Sequence, residues 1–180
     1  GLGHAVLCGK PAVGDHPFAV LLPDDVIDAE PAALQQMLDV FSETAGPVLL
    51  VERVPRTAVS RYGIIAAEPV RAGVLRVTDL VEKPDPNDAP SEFAIIGRYI
   101  LTPDIFASLE QTQVGAGGEI QLTDALRNLL AVRPIHACVL QGTRLDAGTK
   151  IGYVNAVLHF ALKHPELGPE LKETLKQLFR

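Results

Sequence analysis

Asp24 and Asp25 stand directly after the apolar run 18–22 and Pro23, so a strand would deliver carboxylates to its own carboxyl end. Ligands of open α/β sheets sit at such ends, and a carboxylate there suits a hard cation. Asp146, in the string LDAGT, repeats the pattern after a second apolar run. Two such acids can share one magnesium ion, with phosphate oxygens and waters completing its octahedron. Asp24 and Asp146 are therefore candidate magnesium ligands. Solvated acids in a strand-end turn are the alternative, since Pro and Asp also form turns.

Glu82, Lys83 and Pro84 close another apolar run. Successive side chains leave a strand on opposite faces, so this acid and base are expected to point apart and to serve different ligand groups. A carboxylate accepts hydrogen bonds from sugar hydroxyls, and an ammonium neutralises phosphate. The loop Gly115, Gly117, Gly118 and Glu119 precedes a helical pattern and offers a second carboxylate with free amides. A plain connector whose acid caps the helix fits the same residues.

Other chemistries find little footing. His159 and His164 are five apart, not the three or four that would place them on one helix face, so they do not pair on a metal. Cys8 and Cys138 are far apart with no CxxC, which disfavours a zinc site or a disulfide framework and fits a reducing cytoplasm. No serine lies in a GxSxG context. The net charge of −6, with basic residues dispersed, disfavours non-specific nucleic-acid binding. No apolar run approaches the length of a membrane span.

The elements that must position these residues follow from period and punctuation. Strands are expected at 18–22, buried on both faces, and at 48–51, 63–67, 73–81, 93–101 and 135–140. A helix starts at Pro31 behind Glu30, carries Leu34, Met37, Leu38 and Phe41 on one face, and ends at Gly46. A short helix follows Thr102, Pro103 and Asp104 as far as Leu109, and another covers 120–132. Val154, Val157, Leu158 and Ala161 form a stripe expected in the core. After Pro165, Leu171, Leu175, Leu178 and Phe179 form a second stripe that suits contact with another copy. Strands alternate with helices early and cluster in the middle, which predicts an α/β sheet, parallel at first with an antiparallel or mixed extension. With 180 residues, 47% apolar and 21% charged, one compact domain is expected.

The strings GLGHAV, FAVLLPDD, YGII, VEKP, FAIIGRYILTPDIF, GAGGEIQLTDAL, LDAGTKIGY and FALKHPEL follow one another over nearly the whole chain. In this order they closely resemble the bacterial UTP:glucose-1-phosphate uridylyltransferases, or UDP-glucose pyrophosphorylases, of the sugar-phosphate nucleotidylyltransferase superfamily. GAGGEIQLTDA with LDAGTKIGY is the most specific part. The resemblance implies a Rossmann-like nucleotidyltransferase fold, with a mixed central sheet flanked by helices. It also implies a magnesium-dependent reaction of UTP with glucose 1-phosphate that gives UDP-glucose and pyrophosphate.

Carried over residue by residue, the resemblance makes Asp24 a catalytic magnesium ligand, with Asp146 facing the same ion. It places Glu82 and Glu119 on glucose hydroxyls and Lys83 on the sugar phosphate. The backbone of Gly97 would approach the sugar, and Gly3 would lie near the uridine. The family's GxGTRxxPxTK segment does not occur in this sequence. The expectation is a single nucleotidyltransferase domain over residues 1–180 without most of its triphosphate-binding portion, from a cytoplasmic protein that forms homo-oligomers. Two other classes stay open: a non-catalytic sugar-phosphate-binding or interaction module, and a glycosidase using Asp24 and Glu82 as its carboxylate pair.

Overall fold

The computed structural model describes residues 1–178. Its centre is a six-stranded sheet made of β1 (Phe18–Leu21), β3 (Val48–Arg53), β4 (Gly63–Arg71), β5 (Val74–Glu82), β6 (Phe93–Leu101) and β7 (His136–Val139). The strand order is β1-β6-β3-β7-β5-β4. Only β3 and β7 run parallel, and the other pairs in the sheet are antiparallel. The sheet is thus mixed, as expected, but it does not begin as a parallel one. A separate ribbon joins β2 (Asp25–Asp28) to β8 (Thr143–Asp146) in antiparallel register.

Period-two alternation builds the two faces. On β3, Leu49 and Val51 point into one core and Val48 and Leu50 into the other, all fully buried. The first core is closed by α1 (Leu2–Cys8), α4 (Ile105–Gln111) and α5 (Leu122–Leu130), through residues such as Val6, Phe106 and Leu126. The second is closed by α3 (Ala33–Thr44), through Ala33, Met37 and Val40. The short helix α2 (Lys10–Val13) follows α1.

Several boundaries differ from expectation for local reasons. The run 18–22 was expected to be buried on both faces, yet β1 pairs with β6 on one flank only, and Leu21 is 49% exposed. Apolar continuity records composition and cannot tell an edge strand from a central one. The helix expected at Pro31 begins at Ala33 with Ala32 as its cap. The helix expected from Pro103 begins at Ile105, and the one expected from 120 begins at Leu122.

The largest difference lies in α6 (Lys150–Lys163) and α7 (Leu167–Leu178). Val154 and Val157, expected in the core, are 48% and 49% exposed, and Phe179 lies outside the described residues. Ala156 is the one buried residue of α6, with Gly152, Leu158 and His159 half-buried beside it, so the packed side is largely small or polar. A Cβ on Gly152 would stand 1.8 Å from the Asp146 carbonyl oxygen, and one on Gly168 would stand 2.5 Å from that of Leu162. Close backbone approach, rather than the apolar stripe, decides which face packs.

At its far end α6 is held to β2 by Asp28, whose Oδ2 lies 2.5 Å from His159 Nε2 and also accepts from Lys163 Nζ. The hydrogen bonds from His159 and then Lys163 hold the Asp28 carboxyl below its ordinary value of 3.8. A depressed folded value makes the contact stabilising above the ordinary value and removes it as pH falls through the folded one. The melting temperature of the wild type should therefore exceed that of Asp28→Asn near neutral pH, and the gap should narrow as pH falls below about 4 and close below the depressed folded value. A gap that persists unchanged in acid rejects this role.

Candidate active site

The ribbon of β2 and β8 brings the two expected metal ligands together. Asp25 stands opposite Asp146 in its register, and Ala147 N–H donates to the Asp24 carbonyl at 2.7 Å. Gly148 fills the space between the carboxylates: its missing Cβ would lie 2.9 Å from Asp24 Oδ2 and 3.1 Å from Asp146 Oδ1, so the two oxygens are at most about 6 Å apart. Asp24 is exposed, while Asp146 also accepts from Gly148 N–H at 3.1 Å and pairs with Arg61 at 3.2 Å. Among the described residues no group of three or more His, Cys, Asp or Glu could hold a metal. Two hard carboxylates facing one gap fit a cation that takes its remaining ligands from phosphate and water.

Asp25, the neighbour of Asp24, has a different task. Its Oδ2 accepts from Gly97 N–H at 2.9 Å, and its Oδ1 accepts from Arg144 Nε. Arg144 and Asp25 side chains are each 9% exposed, and Arg144 reaches on to Glu52 Oε1 at 2.9 Å and to the Tyr62 hydroxyl at 3.3 Å. Burial alone would lower the Arg144 pKa. Its hydrogen bonds with Tyr62, Asp25 and Glu52 outweigh that, and the net shift is upward. Arg98 donates to the Leu22 carbonyl at 2.7 Å and to that of Asp25, which pins the turn that carries Asp24.

Glu82, Lys83 and Glu119 meet in a cleft of about 270 Å³, lined also by Arg61, Tyr62, Gly63 and Thr123. Thr123 Oγ1 donates to Glu82 Oε2 at 2.7 Å, which leaves the other carboxylate oxygen 3.5 Å from the Lys83 ammonium. Glu82 and Lys83 do not point apart, contrary to the alternation rule. β5 ends at Glu82, and Lys83 already has a left-handed φ of 46°, with its N–H on the Tyr62 carbonyl at 2.9 Å. A bulky residue held in that region marks a backbone fixed by its surroundings. Glycine at position 63 keeps the cleft open, since a Cβ there would sit 2.7 Å from Thr123 Oγ1. Negative charge gathers around it. Burial first, then the charge of Glu82, raises the pKa of both Tyr99 and Asp124.

The glycine loop behaves differently from expectation. Gly118 N–H is taken by the Gly115 carbonyl and Gly115 N–H by the Glu119 carbonyl, so these amides close the loop itself. Gly117 and Gly118 have φ of 70° and 75°, which few other residues adopt. Glu119 is exposed and extended and does not cap α5, whose N-cap is Gln121.

Gly3 and Gly97 are required by packing. Gly3 N–H donates to the Ile120 carbonyl at 3.0 Å, and a Cβ on it would lie 2.7 Å from that oxygen. A Cβ on Gly97 would meet Asp25 Oδ2 at 2.5 Å and Leu22 Cβ at 2.7 Å, so its crowding comes from the protein's own chain. Arg61, Thr123 and Arg144 escaped the reading of the sequence, because their partners lie far away in the chain. The one local hint was the arginine directly before the YGII string.

A family model described as nucleotidyl transferase matches residues 1–162. The chain belongs to the nucleotidyl transferase family. Relatives named UTP–glucose-1-phosphate uridylyltransferase include one from Bacillus subtilis (strain 168), 45% identical over 95% of this chain and 59% of the relative. Another, from Staphylococcus epidermidis, is 44% identical over 99% of this chain and 62% of the relative. A UDP-glucose pyrophosphorylase solved in complex with UDP-glucose superposes with a TM-score of 0.88 at 43% identity, covering 91% of this chain and 63% of that one. A UTP-bound enzyme from Acinetobacter baumannii gives 0.87 at 40% identity, covering 99% and 62%. This nucleotidyl transferase chain thus spans about three fifths of the length of the relatives it matches. Among the described residues no helix is long and apolar enough to cross a membrane.

Proposed function

We propose that this chain carries the sugar-phosphate side of a UTP:glucose-1-phosphate uridylyltransferase and forms one structural unit over its length. The observation that carries the reading is the convergence of two sites. A carboxylate pair, Asp24 and Asp146, stands beside a cleft holding Glu82, Lys83 and Glu119, and Arg61 lines that cleft while pairing with Asp146. The names of the relatives supply the substrates: UTP and glucose 1-phosphate in, UDP-glucose and pyrophosphate out.

In this reading Glu82 and Glu119 accept hydroxyls of the glucose ring, and Thr123 fixes the Glu82 carboxylate for that task. Lys83 holds the phosphate of glucose 1-phosphate, whose oxygen attacks the α-phosphorus of UTP in line. The bond to the bridging oxygen breaks, and pyrophosphate leaves with its electrons. Asp24 and Asp146 would hold magnesium, which when bound supplies positive charge to the phosphate oxygens. Gly97 and Gly3 contribute by keeping the Leu22 turn and the 120–121 segment close to the cleft wall. The free thiols of Cys8 and Cys138 suit a reducing cytoplasm. A homo-oligomer belongs to the same proposal: in the stripe of α7 that suits contact with another copy, Leu178 is exposed, and α6 exposes Val154, Val157 and Phe160 besides. Light scattering that shows monomer alone removes that part.

The deciding assay is pyrophosphate release from UTP and glucose 1-phosphate, in a protein carrying this chain at its relatives' full length. Release that needs both substrates and a divalent cation supports the reading. Reducing sugar released without UTP would turn it toward a glycosidase, and sugar-phosphate binding without turnover toward a binding module.

A finer expectation concerns Glu82. Replacing it with Gln swaps one acceptor for a donor, against both Thr123 and a sugar hydroxyl, in a largely buried position. Sites built on such hydrogen bonds discriminate strongly. Glu82→Gln should therefore reduce the preference for glucose 1-phosphate over its 2-deoxy analogue by about tenfold or more. The more exposed Glu119 should show a smaller shift of the same sign. An unchanged preference in both variants removes the two glutamates from the sugar pocket.

A further inference from the structure

We propose that Arg61 is a second phosphate-binding residue, held in reserve by Asp146 until a divalent cation takes that carboxylate. The proposal rests on reading the cleft as the glucose 1-phosphate site. Arg61 ends the 3-10 turn Arg56–Arg61 and lines the cleft, yet its guanidinium reaches out of it to Asp146 Oδ2 at 3.2 Å. It is 56% exposed, so no packing locks it there.

Two other cations, Arg144 and Lys83, touch its chain neighbour Tyr62, one through the ring and one through the backbone carbonyl. The Tyr62 ring lies 5.7 Å from the Arg61 guanidinium and 5.3 Å from that of Arg144. The Tyr62 carbonyl accepts the Lys83 N–H, which ties the backbone beside Arg61 to the backbone of Lys83. Both long cations line the cleft, and the Lys83 side chain is itself 51% exposed. Each is balanced here by a carboxylate, Arg61 by Asp146 at 3.2 Å and Lys83 by Glu82 at 3.5 Å. A phosphate suits this pair, since the guanidinium fork takes two of its oxygens while the ammonium acts as a point charge.

Asp146 supplies the handover. Its Oδ1 faces Asp24 across Gly148 and its Oδ2 faces Arg61, so a cation seated on the aspartates becomes a like charge beside the guanidinium. The Asp146 pair then weakens, and the phosphate held by Lys83 becomes the nearest free anion for Arg61. Filling of the cation site and tightening of the sugar-phosphate site are thus linked through one side chain.

The test measures Mn²⁺ binding by electron paramagnetic resonance, and glucose 1-phosphate binding by equilibrium dialysis with and without Mn²⁺. Wild type, Arg61→Ala and Arg61→Lys are compared, with circular dichroism melts to confirm folding. Arg61→Ala should bind Mn²⁺ about two- to fivefold more tightly, because a competing surface cation is gone. It should bind glucose 1-phosphate about tenfold more weakly when Mn²⁺ is present, and nearly as wild type when it is absent. Arg61→Lys should recover part of the Mn²⁺-dependent affinity. An Mn²⁺ affinity that stays the same or falls overturns the proposal, as does a sugar-phosphate loss equal with and without Mn²⁺. A wild type that binds no glucose 1-phosphate at all overturns the underlying reading of the cleft, and this proposal with it.

Discussion

Asp24→Asn should lower turnover of UTP and glucose 1-phosphate by about 100-fold or more while leaving the melting temperature nearly unchanged. A bound cation supplies several kcal/mol of charge stabilisation to phosphoryl transfer, and about 1.4 kcal/mol is a factor of ten. A neutral amide is a poorer ligand for a hard ion than a carboxylate. Stability should hold because the Asp24 side chain is exposed, and its structural contribution, the carbonyl that accepts Ala147 N–H, is backbone. Surface changes of this kind stay within about 0.5 kcal/mol.

Asp25→Asn provides the contrast, since Asp25 is buried under Arg144 and Gly97 N–H and should lose stability instead. Turnover is measured as pyrophosphate release across a magnesium titration, beside a thermal melt of each variant. Near-normal activity of Asp24→Asn at limiting magnesium would shift the metal role to Asp146 alone. Both Asp25 oxygens are already occupied.

Which parts of this were legible in the sequence depends on where each signal lies. β6 was readable to the residue at 93–101, because a central strand is apolar on both faces and bounded by polar turns. β2 and β8 were not readable. DVID and TRLD are short and charged, and they are strands only because each pairs with the other. Those two invisible strands set Asp25 opposite Asp146 and so bring the Asp24 and Asp146 carboxylates to one gap. The acids at strand ends were visible as candidates at Asp24, Glu82 and Asp146, but their grouping was not.

Arginines carry no local period either. Arg144 and Asp25 are 119 residues apart, and Arg61 and Asp146 are 85 apart. In α6 the visible signal misled in part: of the apolar stripe Val154 and Val157 are exposed and Leu158 and Ala161 half-buried, while the one buried residue is Ala156, a turn after the closely packed Gly152. The resemblance of the strings extended the candidate list to residues that physical patterning does not mark. It carried Gly3 and Gly97 as ligand neighbours, while the structure shows their packing reasons.

The largest stability effect should come from Arg144→Ala. Arg144 is a buried guanidinium that satisfies Asp25, Glu52 and the Tyr62 hydroxyl together. Removing it leaves the Asp25 carboxylate in a site only 9% open to water, facing a single backbone N–H from Gly97. Breaking one side of such a pair costs about 3–5 kcal/mol, which for a chain of this size is roughly 6–20 °C in melting temperature. Most of that cost is the stranded charge rather than the lost attraction. A double variant, Asp25→Asn with Arg144→Met, should therefore recover much of it: the amide oxygen can still accept Gly97 N–H, Met fills the volume, and the more exposed Glu52 can turn to water. Urea unfolding of wild type, Asp25→Asn, Arg144→Met and the double variant measures the coupling, with Arg144→Ala beside them. Mn²⁺ affinity should fall with Arg144→Ala as well, because the Leu22–Asp25 turn that presents Asp24 rests on Asp25. A single variant that loses less than about 1 kcal/mol would show that water reaches Asp25 and that Arg144 does not hold the turn.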